Sequence, residues 1–203
     1  MKIVVATTNS HKFEEIRRIA PERFELVKLE QTLEIEEYGR TFLENAIIKA
    51  REVGEFLKSP VIADDSGLVI EALNGFPGVQ SARFMEGEPY SRRMEKILEM
   101  LQGEQNRNAH FHCAAVFYDP KISVLIAFEG IVKGRIADRI RGLGGFGYDP
   151  IFIPLHQTRT FGELPSSLKN KISHRARAFR GLFHLIEVLV RSKYGQQVLD
   201  RSG

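Results

Sequence analysis

The stretch Pro60-Val61-Ile62-Ala63-Asp64-Asp65-Ser66-Gly67 constrains this chain more than any other. Three apolar residues, two of them β-branched, run directly into two carboxylates, a hydroxyl and a glycine. This is the profile of a buried strand that delivers its last residues into a site, since ligands of open α/β sheets collect at the carboxyl ends of such strands. A solvated turn is the plainer alternative, because Asp, Ser and Gly also favour turns for local backbone reasons.

The residues before this stretch supply a strand-turn-helix opening. Lys2 to Thr7 reads as a strand, and from Asn9 a helical spacing follows in Phe13, Ile16, Ile19 and Ala20, ending at Pro21. The turn Thr7-Thr8-Asn9-Ser10-His11-Lys12 gathers hydroxyls, an amide, the first helix N–H groups and an ammonium, which suits an anion. Capping by Thr8 or Asn9 is compatible with that role. Phe24 to Leu29 reads as a second strand, followed by the acidic run Glu34-Ile35-Glu36-Glu37-Tyr38-Gly39. A capping box then opens a helix, with Thr41 as cap and Glu44 three residues on, and Leu43, Ile47, Ala50 and Leu57 form its apolar stripe as far as Lys58. Glu36 and Glu37 therefore stand on a loop held by a packed helix.

Beyond the acids, Leu68 to Leu73 continues as strand or irregular structure to the turn signal Asn74-Gly75. Tyr90 to Leu101 reads as a helix, and Ala109–Tyr118 pairs with Ser123–Lys133 as a hairpin. His110 and His112 share a strand face without a third ligand at metal spacing. Cys113 lies in an alternating apolar run, where a lone thiol is usually a small core residue. As the single cysteine it cannot form an internal disulfide, in keeping with a reducing compartment. No run approaches the roughly 18 apolar residues of a membrane span, and the first residues read as a strand rather than a signal peptide. A cytoplasmic protein is expected.

Gly142-Leu143-Gly144-Gly145-Phe146-Gly147 matches Gly-x-Gly-x-x-Gly, but Tyr148-Asp149-Pro150 breaks the chain and Ile151-Phe152-Ile153 reads as a strand, so the dinucleotide reading fails. What remains is a glycine-rich loop in which Phe146 and Tyr148 line a flat pocket and Asp149 accepts from a ring N–H; a tight structural turn is the alternative. Near the end, Ser173 caps a helix through Phe179, Leu182, Phe183, Ile186 and Val190, placing His174 and Arg175 at its positive end. From Lys133 to Lys193 twelve Lys or Arg stand against four Asp or Glu, a bias that suits nucleic acid, a membrane surface or a small polyanion. Acids on two loops, cations on two others and a flat pocket together suit a Mg²⁺-bound nucleotide, with Asp65 and Glu37 as the carboxylates.

Six segments in order resemble the inosine/xanthosine triphosphate pyrophosphatases, the Ham1-like family. They are Ala6-Thr7-Thr8-Asn9 with Lys12; Glu37, Gly39 and Thr41-Phe42-Leu43-Glu44-Asn45-Ala46; Ala63-Asp64-Asp65-Ser66-Gly67-Leu68; Gly78-Val79 with Ser81-Ala82-Arg83; Gly144-Gly145-Phe146-Gly147-Tyr148-Asp149-Pro150; and Lys169 before Ser173-His174-Arg175. Thr8, where many members carry Gly or Asn, and Tyr148, where some carry Trp, are small departures. The resemblance implies one α/β domain over residues 1–203, with two lobes around an elongated mixed central sheet and a nucleotide cleft. It also implies a homodimer and cleavage of ITP, dITP and XTP between the α and β phosphates. By the same resemblance, Glu37 and Asp65 are Mg²⁺ ligands, Asp65 is the base toward water, and Thr7, Thr8, Asn9, Ser10, His11 and Lys12 cradle phosphate. Ser66 is a further contact, and Phe146, Gly147, Tyr148, Asp149, Lys169, His174 and Arg175 form the base and ribose pocket. Asp64 is either a second metal contact or a loop-ordering acid. A donor from Lys169, Arg175 or a loop N–H would favour a 6-oxo purine over adenine. The expected partner is the nucleotide alone, with neither nucleic acid nor membrane. A nucleotide- or RNA-binding module without hydrolysis, and a triphosphatase releasing orthophosphate, are the alternatives.

Overall fold

A computed structural model of the chain describes residues 1–30, 33 and 35–192. Glu34 of the acidic run and Lys193 of the basic half lie outside the described residues. The described residues form an α/β fold on a mixed sheet in the order β2-β1-β3-β4-β5-β6. In chain order the elements are β1 (Lys2–Val5), α1 (Ser10–Ile19), β2 (Glu25–Lys28), α2 (Phe42–Leu57), β3 (Val61–Ile70), α3 (Tyr90–Met100), β4 (Asn108–Asp119), β5 (Val124–Ile136), β6 (Phe152–Pro154), α4 (Ser166–Ile172) and α5 (His174–Arg191). β1 runs parallel to β2 and to β3, with Val4 opposite Val61, while β6 is antiparallel to β5. Parallel neighbours require crossover connections, and α1 and α2 supply them.

The chain divides into two compact units. Among the described residues, one comprises those within 1–65, 114–130 and 175–192, the other 66–113 and 131–174. The core of the first unit includes Ile3, Val5, Ile16, Val53, Val61 and Ile62, with Phe24 stacked on Phe183 at 5.5 Å. Aromatic and aliphatic side chains of this size each contribute about 1.5–3 kcal/mol on burial, so this packing fixes the frame on which the polar residues stand. The second unit has its own cluster, in which Leu68, Ile70, Met94, Ile97, Phe111, Phe152 and Phe161 are buried together.

The helix signals hold to within a residue. Asn9 caps α1, and at α2 Thr41 and Glu44 form both halves of the capping box. Three elements differ from the sequence reading. β3 does not stop at the acids but continues through Asp64-Asp65-Ser66-Gly67 to Ile70. Turn preference loses here because β3 is flanked by β1 and β4 and its carboxylates find partners on the helices, so ladder pairing decides. The segment before Ser173 is also a helix rather than a loop: α4 carries Lys169, and the Ser173 N–H closes it on the Lys169 carbonyl. The strand expected at 151–153 begins one residue later, after a 3₁₀ turn over Asp149–Ile151.

Candidate active site

In the first unit the turn after β1 is built by its own side chains. The Asn9 side-chain oxygen accepts the N–H groups of His11 (2.9 Å) and Lys12 (3.1 Å), and Asn9 N–H donates to the Thr7 hydroxyl at 3.2 Å. Capping therefore takes the helix N–H groups that an anion would otherwise use. The Ser10 hydroxyl accepts from Lys28 Nζ at 2.8 Å. Thr7 and Thr8 line a cavity of about 190 Å³ together with Glu37, Lys49 and the apolar Ala6, Leu29, Leu33, Ile35 and Val53.

The acids of β3 share one charge network with α1, α2 and α5. Side chains alternate along a strand, and the two neighbours take different partners accordingly. Asp64, almost fully buried, binds Lys12 Nζ at 3.1 Å and lies 3.5 Å from Arg175 Nη2. Asp65 accepts from Asn45 Nδ2 at 3.0 Å. Lys49, one turn on from Asn45 in α2, binds Glu37 at 2.5 Å and donates to the Asp64 carbonyl at 3.1 Å. Arg175, among the largest fully buried side chains, pairs with Glu15 of α1 at 2.6 Å. Asn45 also takes the Gly39 N–H, at 2.8 Å, which ties the Glu37 loop to α2. A Cβ on Gly39 would stand 2.6 Å from Asn45 Oδ1 and 2.7 Å from Glu44 Cβ, so that loop approaches the helix as only glycine allows.

These contacts set the proton affinities apart. Burial opposes ionisation of Asp64, but the charges of Lys12, Arg175 and Lys49 outweigh it and hold the carboxyl well below the usual carboxylate range. For Asp65 burial wins: with Glu37 adding repulsion, it pushes the carboxyl up despite Lys49, Lys12 and Asn45. Burial lowers the Lys49 pKa, yet Glu37, Asp64 and Asp65 outweigh it and raise the pKa above the ordinary lysine value. The named groups of this network are four carboxylates and three cations. That donor set fits a divalent cation. Among the described residues no three His, Cys, Asp or Glu side chains form a cage of their own. Two carboxylates completed by ligand oxygens are the usual arrangement for Mg²⁺.

The second unit holds the glycine-rich loop. Gly145 (φ +71°) and Gly147 (φ +63°) take left-handed conformations, and a Cβ on Gly145 would collide with Asp149 Oδ2. Asp149 Oδ2 accepts the Phe146 N–H at 2.8 Å and Lys169 Nζ at 2.5 Å, in a buried ion pair. The same ammonium lies 4.5 Å from the Phe146 ring centre. Phe146 is half-buried, whereas Tyr148 is buried and its hydroxyl donates to the Ser81 carbonyl at 3.0 Å. Burial, followed by the neighbouring Tyr90, raises the Tyr148 phenol well above the ordinary tyrosine value. His174 stacks on Phe111 at 4.6 Å. His110 and His112 stand 6.3 Å apart on β4.

Of the residues expected from sequence, Thr7, Thr8, Lys12, Glu37, Asp65 and Arg175 thus belong to the first unit. Phe146, Gly147, Tyr148, Asp149, Lys169 and His174 belong to the second, with Ser66 half-buried in β3 next to Asp65. Asp64 binds Lys12 and approaches Arg175. Lys169 and Arg175, the donors expected to read the purine, are engaged with Asp149 and with Glu15. Sequence reasoning passed over Lys49 and Glu15, and named Asn45 only within a segment of the resemblance, without a role. Asn45 and Lys49 did leave a signal, since polar residues at i and i+4 share one face of a helix that begins beside the acidic loop.

A capped turn after β1 and a carboxylate–cation network in one unit, and a glycine–aromatic loop in the other, stand on an α/β fold. The chain belongs to the Ham1 family, whose family model matches residues 3–185. It is 43% identical over 198 residues to a dITP/XTP pyrophosphatase of Aquifex aeolicus, covering 92% of this chain and 97% of that one. With the dITP/XTP pyrophosphatase of Bacillus subtilis it shares 44% over 191 residues, covering 91% and 96%. Among solved structures it resembles a HAM1 protein from Coxiella burnetii, with a TM-score of 0.86 at 37% identity over 93% of this chain and 99% of that one.

Proposed function

We propose that this chain is a dITP/XTP pyrophosphatase, which hydrolyses non-standard purine nucleoside triphosphates (ITP, dITP, XTP) to the monophosphate and pyrophosphate. The names of its relatives support the reaction. The observation that carries the site assignment is Asp65: a buried carboxylate of raised proton affinity, fixed by Asn45 and set among Lys49, Lys12 and Glu37. A carboxylate with these properties orients a water and accepts its proton at Oδ as the oxygen attacks the α-phosphorus. The α–β bridging P–O bond breaks, the electron pair leaves with pyrophosphate, and the proton passes from Asp65 to solvent. Lys12 and Lys49 offset phosphate charge, and the Thr7 and Thr8 hydroxyls donate to phosphate oxygens.

Glu37 and Asp65 would hold Mg²⁺. When bound, the ion neutralises triphosphate charge and draws electron density from the phosphorus under attack. Ser66 adds a contact, while Asn9, Ser10 and His11 shape the turn. Phe146 is the platform for the purine, with Gly147, Tyr148, Asp149, Lys169 and His174 forming and bracing the base and ribose pocket, while Arg175 stays with Glu15 and Asp64. The homodimer and independence from nucleic acid and membranes rest on the resemblance to the family, and the cytoplasmic setting on the strand-like first residues and the lone Cys113. In the described residues no helix is long and apolar enough to cross a membrane.

A panel of dITP, ITP, XTP, dGTP, dATP and dUTP with and without Mg²⁺, scored for pyrophosphate against orthophosphate, tests the reading. Release of pyrophosphate from the 6-oxo, non-standard purines, dependent on the metal, is expected. Orthophosphate as the first product, or equal turnover of dATP, would overturn it.

A further inference from the structure

The first turn of α3 carries a pair that the reaction above leaves unused. Arg93 is buried; its Nε donates to the Glu88 carbonyl at 2.9 Å and its Nη1 to the Ala82 carbonyl at 2.7 Å. The guanidinium carbon lies 4.7 Å from the centre of the Tyr90 ring. Tyr90 is thereby held against the glycine–aromatic loop, meeting Tyr148 edge to face at 5.4 Å and 84°. A Cβ built on Gly147 would lie 3.7 Å from Tyr90 Cε1, so the ring also covers the backbone of the loop.

The geometry closes on itself. Tyr148 donates to Ser81, whose neighbour Ala82 accepts from Arg93, which in turn holds Tyr90 against Tyr148. Ser81 is fixed by its own hydroxyl, which accepts the Leu68 N–H at 2.9 Å and donates to the Gly78 carbonyl at 2.6 Å. Lys169 and Asp149 hold the loop at one point, and Tyr90 with Arg93 holds it at another. Two left-handed glycines give the loop freedom that one clamp leaves partly unspent.

We propose that Tyr90, locked by Arg93, is a positioning residue that fixes the Phe146–Asp149 loop and so sets how tightly the purine is held. The proposal rests on the reading of Phe146 as the purine platform. Tyr90 acts through its ring, because the Arg93 guanidinium and the Tyr148 ring both meet the ring and not the hydroxyl.

The test compares Tyr90→Leu, Tyr90→Phe and Phe146→Leu by steady-state kinetics on dITP with Mg²⁺. Loss of one ring–ring and one cation–π contact predicts that Tyr90→Leu raises KM roughly 3- to 10-fold with kcat within about twofold. Tyr90→Phe keeps the wild-type KM, because the ring contacts survive. If Phe146→Leu raises KM and Tyr90→Leu does not, or if Tyr90→Leu lowers only kcat and the melting temperature, Tyr90 is structural and the proposal is overturned. A Tyr90→Phe variant that loses affinity as much as Tyr90→Leu also overturns it, by assigning the effect to the hydroxyl. If Phe146→Leu leaves KM unchanged, the platform reading fails and takes the proposal with it.

Discussion

Asp64 and Asp65 are adjacent in β3, yet their surroundings move their proton affinities in opposite directions. For Asp64 the folded-state pKa lies below the unfolded one. Its contribution to stability is therefore present above the ordinary aspartate value and disappears as the pH falls toward the depressed folded value. Replacing it by Asn leaves Lys12 and Arg175 facing a neutral group in a buried place. Removal of one partner from such a cluster costs roughly 3–5 kcal/mol, which urea unfolding at neutral pH would read directly. A loss below about 1 kcal/mol would show that the network is not holding its two cations. For Asp65 the sign reverses: its folded pKa is raised, so keeping it ionised at neutral pH weakens the fold. Asp65→Asn should raise the melting temperature while lowering turnover by roughly 10²–10⁴-fold, the usual worth of a general base. The acid limb of kcat/KM should fall at a pH above the ordinary aspartate value, since the base must be ionised to act. A limb at or below that value would contradict the role given to Asp65.

At the level of elements, the readable parts of the sequence were those whose signals are local. Asn9 and Thr41 cap the helices they precede, and the Thr41–Glu44 box sits where the spacing put it. The β3 extension was readable only as one of two continuations, strand or irregular structure, because Asp, Ser and Gly have turn preferences that only neighbouring strands and helices overrule. Glu15 and Arg175 are 160 residues apart, and no local pattern announces such a pair. Asn45 and Lys49 were concealed by an apolar stripe that explained their helix without them. The Gly39 approach offers a test of how tightly an element must be set. Gly39→Ala places a Cβ 2.6 Å from Asn45 Oδ1 and 2.9 Å from the Asn45 N, forcing the Glu37 loop off α2. The expected outcome is a folded protein with α2 intact by circular dichroism and a roughly tenfold or larger fall in kcat/KM, the scale on which ångström misplacements act. Wild-type kcat/KM would mean that the loop does not position Glu37.

Across the whole molecule, the residues expected from sequence fall into two groups, each organised within one compact unit. The first holds the carboxylates, Lys12, Lys49 and Arg175; the second holds the glycine–aromatic loop with its own buried ion pair. Asp65 and Ser66, and again His174 and Arg175, are consecutive residues assigned to different units, so the strand β3 and the start of α5 serve both. This explains why the six motifs are scattered along the sequence: they mark the places where strand and helix ends bring side chains to one or other group. The proposed reaction turns on one step, the attack of water guided by Asp65 on the α-phosphorus. The direct measurement is hydrolysis of dITP in ¹⁸O-labelled water, with both products read by mass spectrometry. Label in the phosphate of dIMP and none in pyrophosphate is the predicted result; label in pyrophosphate, or release of labelled orthophosphate, would contradict it.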